Sequence, residues 1–284
     1  MIRLKIGVIV DAFKLPLRQG ILRAKQVGAK GLQIYAVSGE MAPENMSVND
    51  RKELRNFIQD NGLEIAALCG DLGGHGFAIQ EDNPLKIEKS KRIIDLAKDL
   101  ETDIVTTHIG VIPKSKDHDR YKVLTEACEQ LGEYADEMKA SFAIETGPEK
   151  ALVLKNFLDN LKSNGVKVNF DPANLLMVTD DDPVEGVYTL RDYIVHTHAK
   201  DGVMIKKTDP EIVYNYFAEG GIEDLRLEDY FKEQPLGKGS LNFEKYLKSL
   251  RDIGYNGYLT IEREVGNDPE SDITEAVQFL NKHI

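Results

Sequence analysis

Short runs of β-branched and apolar residues alternate along the chain with longer stretches in which apolar residues recur near i, i+3, i+4 and i+7. The short runs are LKIGVIV (4–10), GLQIYAV (31–37), LEIAALC (63–69), DIVTTHIG (103–110), SFAIETG (141–147), VKVNFDP (166–172), YIVHTHAKD (193–201) and GYLTIERE (257–264). They predict eight strands. PLRQGILRAKQVG, SVNDRKELRNFIQDNG, NPLKIEKSKRIIDLAKDL and NFEKYLKSLRDIG carry the helical period between them. Ser47 and Asn242 stand where N-caps are needed, and Gly28, Gly62, Gly165 and Gly254 each fall between a helix and the next strand. Strict alternation of strand and helix implies parallel pairing through right-handed crossovers. Eight such units predict an α/β fold, a (β/α)8 TIM barrel, with residues 1–284 as one domain.

The one long gap between strands is 203–239, an acidic, tyrosine-rich insertion after the seventh strand. Its place in the order puts it at the barrel mouth, as a lid or a subunit contact, and Tyr214, Tyr216, Phe217, Tyr230 and Phe231 would need a partner surface if exposed. A doubly wound open sheet is the alternative architecture. It is disfavoured because VDAFKLPLRQG, not a G-x-G-x-x-G turn, follows the first strand.

In a barrel of this kind the loops after the strands' C-terminal ends carry the chemistry. Side chains along a strand alternate between helix layer and interior. If Phe142 and Ile144 face the helices, Glu145 points inward; Val166, Val168 and Phe170 likewise send Asp171 inward, and Leu259 and Ile261 send Glu262 inward. Tyr193 and Val195 take the outer face of the seventh strand, leaving His196 and His198 inside with His198 nearer the mouth. Three carboxylates facing one another in a low-dielectric mouth repel unless a cation compensates them. Glu145, Asp171, His198 and Glu262 are therefore a candidate metal site. An oxygen-rich set with one imidazole suits one divalent ion, Mn²⁺ first, with Mg²⁺, Co²⁺ or Zn²⁺ as alternatives.

AIETG, FDPAN, HTHAKD and LTIERE, in this order, resemble the xylose isomerase-like TIM-barrel superfamily of sugar and sugar-phosphate isomerases and epimerases. The ketose 3-epimerases and, more distantly, the type IV apurinic endonucleases share that superfamily. The resemblance implies that Glu145, Asp171, His198 and Glu262 hold the ion, and that Glu145 and Glu262 are catalytic, moving a proton through a metal-stabilised enediolate. A metal-dependent dehydratase of a keto-inositol or related polyol uses the same proton abstraction and stands as the alternative. Asn174 occupies a position that is histidine in both the nuclease and the 3-epimerase branches, so the contact to substrate hydroxyls differs here.

His108, Asn174, Lys200 and His75 are the candidate substrate-binding residues. His108 projects into the mouth from the fourth strand, Lys200 can touch substrate or pair with Glu264, and His75 lies in the Gly-rich DLGGHGFA loop. His196, one layer deeper, reads as a core histidine. LGKGSLNF, with Lys238, offers weak grounds for a phosphate site at a helix start. Composition narrows the partners. Two distant cysteines give neither a disulfide framework nor a thiolate zinc site, and a net charge of -12 argues against nucleic acid. No apolar run approaches the roughly 18 residues of a membrane span, and MIRLKIGVIVDAF lacks the form of a signal peptide. The expectation is a cytoplasmic enzyme of a small carbohydrate, working alone or as a homo-oligomer.

Overall fold

The structure, a computed structural model, describes residues 4–222, 224–266 and 268–284. The strands among these are β1 (Lys5–Ile9), β2 (Gly31–Tyr35), β3 (Glu64–Cys69), β4 (Ile104–Thr107), β5 (Ser141–Glu145), β6 (Val166–Phe170), β7 (Ile194–Ala199), β8 (Asp201–Met204), β9 (Phe231–Gln234) and β10 (Tyr258–Ile261). All but β8 and β9 close a parallel barrel in the order β1-β10-β7-β6-β5-β4-β3-β2. Around it run α1 (Leu17–Val27), α2 (Val48–Asp60), α3 (Asn83–Asp99), α4 (Asp119–Met138), α5 (Ala151–Leu158), the single turn α6 (Pro172–Asn174), α7 (Pro183–Thr189), α8 (Pro210–Ala218), α9 (Phe243–Asp252) and α10 (Pro269–Asn281). The TIM barrel expected from the hydrophobic pattern is the observed fold.

Strand residues facing the helices are apolar and wholly covered, as in Phe142, Val168 and Leu259. Phe170 stacks on Tyr246 of α9 at 6.0 Å, which fixes that strand's outer face. The predicted caps form as well. Ser47 Oγ accepts from the Asp50 N–H at 3.2 Å while Asp50 Oδ2 accepts from the Ser47 N–H at 2.8 Å, a reciprocal capping box on α2. Asn242 Oδ1 accepts from the Lys245 N–H at the start of α9. Gly165 does not end a helix, because α5 stops at Leu158. Its glycine has a different cause: a Cβ there would come 2.2 Å from the Gly132 carbonyl oxygen of α4.

The run 193–201 is two strands and not one. β7 ends at Ala199, and Asp201 opens β8, which pairs antiparallel with β9 across the insertion. One buried carboxylate makes that turn. Asp201 Oδ1 accepts from the Gly202 and Leu241 N–H groups, and Oδ2 from those of Gly237 and Gly239. The glycine amides of LGKG are therefore already occupied, and Lys238 pairs with Glu275, so this segment is a strut and not a phosphate site. The insertion packs Val213 with Ala173, Met177 and Val178 in a small apolar cluster beside α6. That self-packing leaves Tyr214, Tyr216, Tyr230 and Phe231 half-buried, and of the five aromatics only Phe217, 65% accessible, stays exposed. None of the described helices is long and apolar enough to cross a membrane.

Candidate metal centre

Just beneath the mouth the barrel interior is polar: Gln33, Thr106, Asn169 and His196 are all buried, contributed by β2, β4, β6 and β7. Above them stand Glu145 at the end of β5, Asp171 directly after β6, His198 on β7 and Glu262 directly after β10. Each offers one nitrogen or oxygen atom, and the four atoms lie within 4.8 Å of one another. His198 Nδ1 is 2.9 Å from Glu262 Oε2, 3.4 Å from Asp171 Oδ2 and 3.6 Å from Glu145 Oε1. All four stand where strand parity directs them. They are also buried.

Three of the four side chains are held from behind. Asp171 Oδ1 accepts from the Asn174 N–H, the ordinary cap of a strand-end aspartate, while its Oδ2 is left facing the cluster. Glu145 Oε2 accepts from the Asn169 amide and Oε1 from the Asn174 amide, each at 3.0 Å. Gln33 Oε1 lies 2.9 Å from His196 Nε2 and 3.1 Å from His198 Nε2. The Gln33 amide nitrogen points instead at Thr106 Oγ1, which turns the carbonyl oxygen toward both imidazoles. Nε2 of His198 faces Gln33 and the Asn169 amide, so Nδ1 is the ring nitrogen turned to the cluster.

The electrostatics follow from crowding. Burial alone would push His198 down, but the charges of Glu262 and Glu145 override it and hold His198 well above the usual histidine range. Lys200, also buried, is held well above the ordinary lysine range by Glu262 and Glu264, at 3.2 and 2.7 Å. Burial pushes Glu262 up, and Lys200 and His198 more than reverse it. His196 stays neutral because burial keeps it well below the usual value. Its partner is Gln33, as a core histidine requires.

Whether the set fits a metal ion is decided by the atoms left over. Asp171 Oδ2, His198 Nδ1 and Glu262 Oε2 are buried without a hydrogen-bond partner, and they face one another. Buried polar atoms are otherwise almost always satisfied. Three carboxylates and one imidazole are hard and borderline donors of the kind Mn²⁺, Mg²⁺, Co²⁺ and Zn²⁺ accept. The residues fit the ion.

Of the remaining candidates, His108, Asn174 and Lys200 reach the cluster and His75 does not. His108 Nδ1 lies 2.9 Å from Asp71 Oδ2, and Nε2 lies 3.8 Å from Glu145 Oε1. Burial would push His108 down, yet Glu145 and Asp71 raise it to about 10. Its two ring nitrogens face opposite ways, so Asp71 is an orienting group outside the four-residue set. His75 instead lies 2.6 Å from Glu219, joining the loop after β3 to the end of α8. Gln33, Asn169 and Asp71 were not found from the sequence. Asn169 sits on a strand whose inward parity is legible, which was the available signal; the face of Gln33 on β2 was not assigned from the sequence, and Asp71 lies in a loop where no periodicity speaks.

Removing Gln33's oxygen tests the orienting role. Gln33→Leu is expected to weaken metal affinity by about 10–100-fold, the usual effect of losing an outer-shell partner. Titration of metal-stripped protein followed by calorimetry measures it, and unchanged affinity in a folded variant contradicts the role.

A closed eight-stranded parallel barrel with a cluster of metal-ligand type at the C-terminal mouth defines the class. Comparison with known proteins is consistent with this. The chain belongs to the xylose isomerase-like TIM barrel family, whose sequence profile matches residues 21–283. An uncharacterized protein of Methanocaldococcus jannaschii is 25% identical over 197 residues, which is 63% of this chain and 57% of that relative's length. Among solved structures, a xylose isomerase domain protein from Planctomyces limnophilus superposes with a TM-score of 0.79 at 24% identity, covering 99% of this chain and 96% of the other. The probable 3-DHS dehydratase AsbF from Bacillus anthracis gives 0.74 at 17% identity, over 98% and 99% of the two chains. The 3-keto-D-glucoside 4-epimerase YcjR from E. coli gives 0.72 at 18% identity, over 99% and 100%. At these identities the likeness is one of fold.

Proposed function

We propose that this protein is a divalent-metal-dependent sugar or sugar-phosphate isomerase or epimerase that works by proton transfer next to a carbonyl. The observation that carries the reading is the convergence of Glu145, Asp171, His198 and Glu262, with three orphaned atoms turned toward one another at the barrel's C-terminal end. A divalent ion held by these four residues supplies Lewis-acid stabilisation of the charge that develops on a substrate carbonyl oxygen. Glu145 and Glu262 are separated around the barrel by β6 and β7, so their carboxylates approach a bound substrate from different sides. One removes a proton from carbon and the other delivers one. Asn169 with Asn174 fix Glu145, and the Lys200 charge 3.2 Å away keeps Glu262 ionised. His108, oriented by Asp71, directs Nε2 toward the same space and is placed to bond a substrate hydroxyl.

Turnover in D₂O tests the reaction type. A panel of ketoses, aldoses and their phosphates is incubated with Mn²⁺-loaded protein and followed by NMR. Deuterium is expected at the carbon that changes configuration or receives hydrogen, because exchangeable carboxyls deliver the proton. Fully protonated product points to a hydride shift and defeats the mechanism. Loss of water without an isomer identifies a dehydratase.

A further inference from the structure

Beside the cluster, on the same end of the barrel, lies a cavity of about 570 Å³. Its walls are the segments that leave β4 (111–120), β5 (148–153) and β6 (178–180), closed on the fourth side by the insertion (204–211). The first three follow strands that shape the site; Glu149 is only four residues beyond Glu145. Glu149 lies close enough to His108 to feel its charge, and His108 Nε2 lies 3.8 Å from Glu145 Oε1, so His108 links the inner wall to the cluster.

The charges of this cavity differ from those of the rest of the molecule. On a chain of net charge -12, four basic side chains, Lys114, Arg120, Lys150 and Lys207, stand here against four carboxyls, Glu149, Asp180, Asp209 and Glu211. Arg120 grips Glu211 with both terminal nitrogens, and Lys207 pairs with Asp180. Asp209 caps α8 through the Glu211 N–H. Lys114 and Lys150 form no ion pair among the described residues, and the buried Arg120 Nε has no hydrogen-bond partner. Glu149 completes the inner wall. It is 7% accessible, and its one hydrogen bond is a long one, from the Ile112 N–H at 3.3 Å. Burial pushes it up to about 8, so at neutral pH it is a neutral carboxyl that can donate a hydrogen bond.

We propose that this cavity is a subsite of the active centre, for the end of the substrate remote from the reacting carbons, and that this end carries an oxyanion, a phosphate ester or a carboxylate. Lys114 and Lys150 supply the charge, and Glu149 donates a hydrogen bond at the inner wall. The inference rests on the reading of the four-residue cluster as the reacting centre. It narrows the substrate class to acidic sugars.

The test is direct binding to metal-loaded protein, by calorimetry, of inorganic phosphate, a ketose phosphate and, for the carboxylate alternative, gluconate. One of these anions is expected to bind, and the K114A/K150A double variant to lose at least about tenfold in its affinity, with metal content and melting temperature unchanged. Affinity should also fall with added salt. No anion binding by the wild-type protein, or binding equal in the double variant, overturns the subsite. Binding that disappears on chelation and ignores the lysines places the anion on the metal cluster and overturns it as well. Lysine-dependent binding in a protein that converts no sugar would keep the anion site and overturn the catalytic reading, so the two failures are distinct.

Discussion

Glu262→Gln is expected to lower turnover by about 10²–10⁴-fold, the range for loss of a general acid or base. Gln keeps the size of Glu and an oxygen for the ion, but it can neither take up nor release a proton at neutral pH. Glu262 is covered by the barrel and flanked by His198 at 2.9 Å and Lys200 at 3.2 Å. Glu145→Gln is expected to act in the same range, since its two oxygens are bonded by Asn169 and Asn174 amides that would then face an amide. Metal content has to be measured alongside rate, because both residues belong to the ligand set. Near-normal turnover with metal still bound would remove that residue from the proton-transfer pair.

Stripping the metal is expected to reduce activity by at least about 10³-fold, because the stabilisation of developing negative charge is lost entirely. Stability should fall too. A ligand that binds only the folded protein contributes RT ln(1 + [L]/Kd), about 4 kcal/mol at a thousandfold excess over Kd. Without the dication, the three carboxylates are offset by His198, Lys200 and His108, each raised by their charges. Readdition of Mn²⁺ should restore both activity and melting temperature, with Mg²⁺, Co²⁺ and Zn²⁺ compared in parallel. Full activity in protein verified as metal-free would refute the metal-dependent reading.

A smaller effect concerns Glu149, whose titration is displaced from about 4.5 in the unfolded chain to about 8. A carboxyl raised by folding holds its proton more tightly in the native state. Stability therefore falls as pH rises from the unfolded value to the folded one, by a few kcal/mol in all, and stays level above it. Glu149→Gln removes this dependence. The variant is expected to melt close to the wild type near pH 4.5 and clearly above it at pH 8.5; equal melting temperatures at both would show that Glu149 is not buried as described.

The legibility of the site was uneven for physical reasons. Period-two alternation along a strand is a local property, so the inward direction of Glu145, Asp171, His198 and Glu262 could be read from their own neighbours. Their convergence followed from the order of the elements, because a parallel barrel brings all strand C-termini to one rim. The orienting partners were not legible in that way. Gln33 and His198 are 165 positions apart and meet only across the closed barrel, and Asp71 finds His108 through a loop. The LGKG segment misled because the sequence does not show that Asp201 has already taken its amides.

Alternating hydrophobic runs, turn residues and caps thus determined the barrel and the four inward donors, since each depends on residues a few positions apart. The tertiary structure alone decided which nitrogen of His198 faces the cluster, which carboxylate oxygens are left unpaired, how the insertion half-buries most of its aromatics, and that lysines without an ion pair border a cavity at the same end of the barrel. Those features depend on distances between segments far apart in the chain, which closing of the barrel sets and local pattern does not encode.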